Sequence, residues 1–175
     1  MLEDRINLKD NTVGRQIKIS KVDLAYIAGF LDGDGSIMFQ VKKAKNRTNG
    51  KRLMFTICLY QDTRHEKPLF WMRKLLGVGY ISRRNDGMTE LRINGYAQVK
   101  KILESLSPYL KFKKIQAKYI SLVLDILTKK KIKQLTKREK SRIANALVTA
   151  RTQTYQSGQK KMEKLQEDLK SIMEF

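Results

Sequence analysis

Apolar residues recur along this chain first at helical and then at alternating spacing, and each change of period marks an element. Leu24, Ile27, Ala28 and Leu31 share one face at 100° per residue, which predicts a helix starting near Lys21. Ser20 with Asp23 three residues on is a variant of the capping box that starts it. The period then changes. Ile37, Phe39 and Val41 alternate with Met38, Gln40 and Lys42, giving a strand over Ser36–Lys43 with one buried face. A basic loop ends in Asn49-Gly50, a turn signal. Leu53, Phe55, Ile57 and Leu59 next alternate with Arg52, Met54, Thr56, Cys58 and Tyr60, completing an antiparallel hairpin whose second face is polar or long-chained.

The alternation of helix and hairpin then repeats. Pro68–Leu76 reads as a short helix ended by Gly77-Val78-Gly79. A second hairpin, Tyr80–Arg84 and Met88–Ile93, closes around Asn85-Asp86-Gly87. Asn94 is placed to cap a helix carrying Val99, Ile102, Leu103 and Leu106, which Pro108 stops. After a basic run over Lys111–Lys118, Ile120–Leu127 forms an apolar helix. Thr136 and Glu139 make a capping box that opens a helix through Ile143, Leu147 and Val148. Gln156-Ser157-Gly158 breaks it, and a mixed-charge helix with Met162, Leu165, Leu169 and Ile172 follows. The fold class is α+β: a four-stranded antiparallel sheet with helices on one face and the other face free, followed by C-terminal helices. Residues 1–19 form a basic arm, 20–128 the core, and 129–175 a helical extension of the same domain.

Composition changes this picture in one respect. Among 175 residues, Lys and Arg number 37 against 17 acids, a net charge of +20, which calls for a polyanionic partner. With 41% hydrophobic residues the chain has the means to build a core, so it is no disordered basic tail. It has no transmembrane run, and no strongly apolar face lies opposite the basic clusters, so a membrane partner is not expected. One cysteine, Cys58, and one histidine, His65, exclude an internal disulfide framework and a Cys/His zinc finger. The N-terminus lacks a signal-peptide core, so the expected location is intracellular, in a prokaryotic cytoplasm or nucleoid or an organelle matrix.

Candidate chemistry sits where the first helix ends. Asp32 and Asp34 face the negative end of the helix dipole, and Gly33 and Gly35 suit the left-handed or tight backbone that closes such a helix. Ala25 and Gly29, four apart, make a small-residue face on which a second helix can approach closely. If that face pairs two copies, four acidic groups converge. Oxygen donors in that number suit a hard divalent cation such as Mg²⁺ or Mn²⁺.

The run Ile27-Ala28-Gly29-Phe30-Leu31-Asp32-Gly33-Asp34-Gly35, with Leu24-Ala25-Tyr26 leading in, closely resembles the signature of the LAGLIDADG homing endonucleases. It occurs once, as in the single-motif, homodimeric branch of that family, and the resemblance extends over about residues 20–127, including an αββαββα order. It implies an intron-encoded enzyme that hydrolyses both strands of a long, pseudo-palindromic double-stranded DNA site. Asp34 of each subunit is the implied metal ligand, assisted by the Gly33 carbonyl. Gln61 matches the residue that orients the attacking water, and Lys113 the active-site lysine. Asp32 matches a chiefly structural aspartate and joins Ala25 and Gly29 at the dimer interface. A further basic position falls at Arg64 or His65.

The free sheet face carries Gln40, Lys42, Arg52, Thr56, Tyr60, Arg84, Glu90 and Arg92, with Arg47 near a loop tip. Arginine pairs bidentately with guanine and glutamine with adenine, and a β-ribbon fits the major groove, so these residues are expected to read DNA. The basic run over 129–142 is read as a phosphate contact. The competing reading is a nucleic-acid binder of the same fold, an intron maturase or regulator that does not cleave. RNA as a partner has no feature pointing to it.

Overall fold

The computed structural model describes residues 6–8, 17–43, 51–154 and 158–173. Ahead of the motif, two short strands, β1 (Ile6–Leu8) and β2 (Ile17–Ile19), pair antiparallel where the sequence carried no strand signal. Helix α1 (Lys21–Asp34) starts as expected, with the Ser20 hydroxyl accepting the Asp23 N–H at 3.1 Å. Leu24, Ile27 and Leu31 are fully buried, and side chains of this size contribute about 1.5–3 kcal/mol each on leaving water. The end of α1 differs from the left-handed or tight closure expected of it. Gly35 is extended, at φ −127° and ψ 173°, and begins the next strand. Glycine is needed there for room: a Cβ would lie 2.8 Å from the Leu31 carbonyl oxygen.

Strands β3 (Gly35–Lys43) and β4 (Lys51–Asp62) form the first hairpin. Helix α2 (Lys67–Leu76) follows, closed by Gly77 at φ +66°, then β5 (Tyr80–Arg83) and β6 (Met88–Asn94). The sheet order is β3-β4-β6-β5, antiparallel throughout. The odd-numbered apolar residues Ile37, Phe39, Leu53, Phe55, Ile57, Leu59, Leu91 and Ile93 are all buried on the helix-covered side. Helix α1 packs on β3 and β4, and α3 (Tyr96–Leu106) on α1, β4 and β6. Helices α4 (Lys114–Leu127), α5 (Lys137–Thr152) and α6 (Gln159–Met173) stack outward from α3, and α6 returns to β3 and β4 through Leu165, Leu169 and Met173.

Three expectations are corrected. Asn94 does not cap α3; Gly95 stands at that position, because the Asn94 carboxamide is committed across the sheet, accepting the Thr56 hydroxyl at 2.6 Å. Helix α4 begins at Lys114, ahead of the apolar run, since Gln116 and Ala117 already continue its buried face while Lys114 and Lys118 point outward. The outer face of the sheet is not uniformly wet: Thr56, Cys58 and Glu90 are 3%, 0% and 4% exposed, covered by longer neighbours on the same face. The Thr136–Glu139 capping box forms in both directions.

Candidate active site and nucleic-acid interface

The last turn of α1 is tied to the loop before α4. Asp32 Oδ2 accepts the backbone N–H groups of Lys111 at 2.6 Å and Phe112 at 3.1 Å, and Oδ1 accepts that of Lys113 at 2.9 Å. In return the Lys113 ammonium donates to the Asp32 carbonyl oxygen at 2.6 Å. Asp32 therefore spends its carboxylate within its own chain, in keeping with a structural aspartate. A second tie fixes the other side of this loop: buried Gln116 donates to the Ile37 carbonyl oxygen of β3 at 2.9 Å.

Asp34 is different. It is exposed, and its side chain makes no hydrogen bond among the described residues, so its carboxylate is free for a ligand. Half-buried Lys113 lies near enough to feel it: burial pushes the lysine below its usual range, while the Asp32 and Asp34 charges oppose that. Exposed Gly33 sits between the two aspartates. Among the described residues no three His, Cys, Asp or Glu side chains cluster to cage a metal. One carboxylate suits a Mg²⁺-like ion that keeps several waters and takes its remaining oxygens from phosphate or a second chain.

Gln61 lies two positions beyond Gly35–Leu59, the last pair joining β4 to β3, so it is carried past the end of α1 on the helix-covered side. Its Oε1 accepts the Asp62 N–H at 2.8 Å. The adjoining turn is cross-braced. Glu66 accepts the Arg83 Nε–H at 2.9 Å and the Thr89 hydroxyl at 2.7 Å, which hold its carboxyl at about 2. Arg64 folds back on Asp62, its Nε and Nη2 donating at 3.0 and 2.8 Å, and pulls that carboxyl well below the usual range. His65 beside it is exposed.

On the outer sheet face Gln40, Lys42 and Arg52 are exposed, at the β3–β4 end. Tyr60 is half-buried with its hydroxyl 2.9 Å from that of Ser36. Thr56 and Glu90 lie beneath the surface instead of offering themselves to a ligand. Glu90 Oε1 accepts the Arg84 Nη1–H at 2.9 Å, and its Oε2 lies 2.6 Å from Arg92 Nε, whose N–H points off that line. Arg84 also donates to Asp86 at 2.6 Å. Arg47 lies outside the described residues. The basic run after α4 begins about 20 Å along that helix from Lys113, and its Lys130 pairs with Glu139 at 2.6 Å.

Ala25 and Gly29 are exposed, and a Cβ added to Gly29 would meet nothing within 4 Å. Val22 and Tyr26 flank them, 78% and 52% exposed, with Tyr26 edge-on to Trp71 at 5.5 Å.

The helix end, the anchored lysine and the cationic sheet define the class that comparison also gives. The profile described as LAGLIDADG endonuclease matches residues 27–124, and the chain belongs to that family. It is 35% identical over 109 residues to DNA endonuclease I-CvuI of Chlorella vulgaris, spanning 62% of this chain and 66% of that protein. With DNA endonuclease I-CreI of Chlamydomonas reinhardtii it shares 31% over 110 residues, 63% of this chain and 67% of that one. The crystal structure of I-CvuI in complex with the I-CreI target in 2 mM Mg superposes with a TM-score of 0.67 at 28% identity, covering 87% of this chain and 95% of that chain. The archaeal intron-encoded homing endonuclease I-Vdi141I, complexed with DNA, shares the fold at 15% identity, TM-score 0.68, over 86% of this chain and 96% of that one. Among the described residues no helix is long and apolar enough to cross a membrane.

Sequence reasoning missed Gln116, Glu66 and Thr89, and the role of Asp32 as an anchor. Nothing local signals them, because the Asp32 bonds join positions 79–81 residues apart.

Proposed function

We propose that this chain is a site-specific DNA endonuclease that works as a homodimer and hydrolyses phosphodiesters with the help of a divalent metal. The observation that carries the proposal is the free Asp34 carboxylate, placed at a helix end beside Lys113 in a chain of net charge +20. An acid with no partner in the path of a polyanion is repelled by it unless a cation lies between them. Asp34 and the Gly33 carbonyl are the donors for Mg²⁺ or Mn²⁺, which when bound activates water and neutralises the attacked phosphate.

The other groups act on the substrate directly. The Gln61 amide orients the attacking water from the end of β4. The Lys113 ammonium stabilises the charge that develops on the phosphate oxygens, where a preorganised cation in a partly desolvated site is most effective. Gln40, Lys42, Arg52, Arg84 and Arg92 face the major groove and supply base contacts.

Two chains are needed to cut two strands. The α1 face supports the pairing, since nothing among the described residues requires Gly29 to be glycine. Pairing there brings two Asp34 carboxylates together, and two-fold symmetry makes the target a pseudo-palindrome.

The test is cleavage of supercoiled plasmid carrying the uninterrupted junction of the DNA that flanks this reading frame. Linear product with Mg²⁺ and intact plasmid in EDTA are expected. Tight binding without cleavage in any divalent metal would favour the non-cleaving maturase or regulator.

A further inference from the structure

We infer that Asp32 is a positioning residue for Lys113: its carboxylate holds the backbone that leads into the lysine, and its carbonyl oxygen aims the ammonium at the site. This rests on the proposal that Lys113 acts on the scissile phosphate. Four hydrogen bonds, between 2.6 and 3.1 Å, join residue 32 to the segment 111–113. Three of them end on a carboxylate, and bonds to an ionised acceptor are about twice as strong as neutral ones.

The arrangement exceeds what a fold staple needs. A single carboxylate bond would tie the loop to α1. Here both oxygens are used on three successive N–H groups, so the rotation of the segment about Asp32 is fixed as well as its distance. The lysine head group then returns to the same residue, and its swing is limited from the other end. The Gln116 bond to Ile37 fixes the start of α4 independently, so the backbone of Lys113 is set by two elements at once. Phe112, 77% exposed between the two lysines, contributes no packing that could hold the loop in their place. An unanchored lysine in this position would sample many rotamers and lose the preorganisation on which its effect depends.

The experiment is a double-mutant cycle on single-turnover cleavage at saturating enzyme, using Asp32→Ala, Lys113→Met and the pair. Asp32→Ala is expected to lower the rate by about a hundredfold, the scale of a roughly 1 Å misplacement. Affinity for the target and the number of chains per duplex should stay unchanged. In the Lys113→Met background the same change should cost less than about threefold, because a residue that acts through another has little left to lose. Asp32→Asn keeps an acceptor oxygen and should recover part of the rate; should the alanine variant fail to fold, the asparagine variant carries the same cycle. A full, multiplicative loss in the Lys113→Met background overturns the inference while leaving Lys113 in its role. So does an unchanged rate for Asp32→Ala. If Lys113→Met alone leaves the rate intact, the reading of Lys113 fails and this inference with it.

Discussion

Arg84 donates its Nη1–H to Glu90 at 2.9 Å, joining the turn of the second hairpin to the middle of its inner strand. The same carboxylate lies against Arg92, so one buried acid neutralises charge beside two guanidinium groups on the outer sheet face. Replacing Glu90 with Gln keeps the shape and removes the charge. Binding to random-sequence duplex should tighten, and its salt dependence should steepen by a slope of about 0.9, one further cation now being free for phosphate. Discrimination between target and random DNA should shrink, because the arginines lose their fixed direction. Titrations of both duplexes across a salt series give the answer; an unchanged ratio would remove Arg84 and Arg92 from base reading.

Asp34→Asn should bind its target as tightly as the native protein and cut neither strand. The amide keeps the volume of the carboxylate but not its charge for a hard cation. Gel-shift and cleavage assays on the same duplex separate the two properties. Mg²⁺-dependent nicking by the variant would remove Asp34 from the metal site.

Acid should loosen the turn beside Gln61. Glu66 is held at about 2 when folded, below its unfolded value of 4.5. Its charge therefore favours the fold fully above pH 4.5, and that contribution is lost as the pH falls toward 2. Denaturant midpoints between pH 7 and pH 2.5 should fall less for Glu66→Gln than for the native chain across that window. Parallel profiles would contradict the assignment.

The sequence left Arg64 and His65 as alternatives for a basic position near Gln61. Arg64 is engaged by Asp62 through its backbone N–H and two side-chain N–H groups. We propose on that ground that His65 fills the position. His65→Ala should slow cleavage by roughly a hundredfold or more, within the range for one catalytic proton-transfer group, and Arg64→Ala should change it little. The reverse order would return Arg64 to the site.

Much of the architecture was legible because its signals are periodic. Leu24, Ile27, Ala28 and Leu31 mark α1, and Leu53 to Leu59 mark β4, through spacing alone. Alternation assigns a residue to a face but not to a depth, which is why Thr56 and Glu90 were expected in solvent and are buried under their neighbours. Gly35 was expected to turn the chain and instead makes room for Leu31, a contact that φ preferences do not encode. The anchoring of Lys113 by Asp32 belongs to the tertiary structure, and no local pattern could reveal it.

The central claim is that each chain of a pair supplies one active site and cuts one strand. It is tested most directly by co-expressing native and Asp34→Asn chains and scoring the products from a supercoiled plasmid with one target. Random pairing at equal amounts makes about half of the dimers mixed, the outcome of a self-complementary interface. Mixed dimers have a single working site, so nicked circles should accumulate and reach their maximum near the equal mixture. If linear product simply declines in proportion to the native chain, with no nicked intermediate, a single chain cuts both strands and the account is wrong.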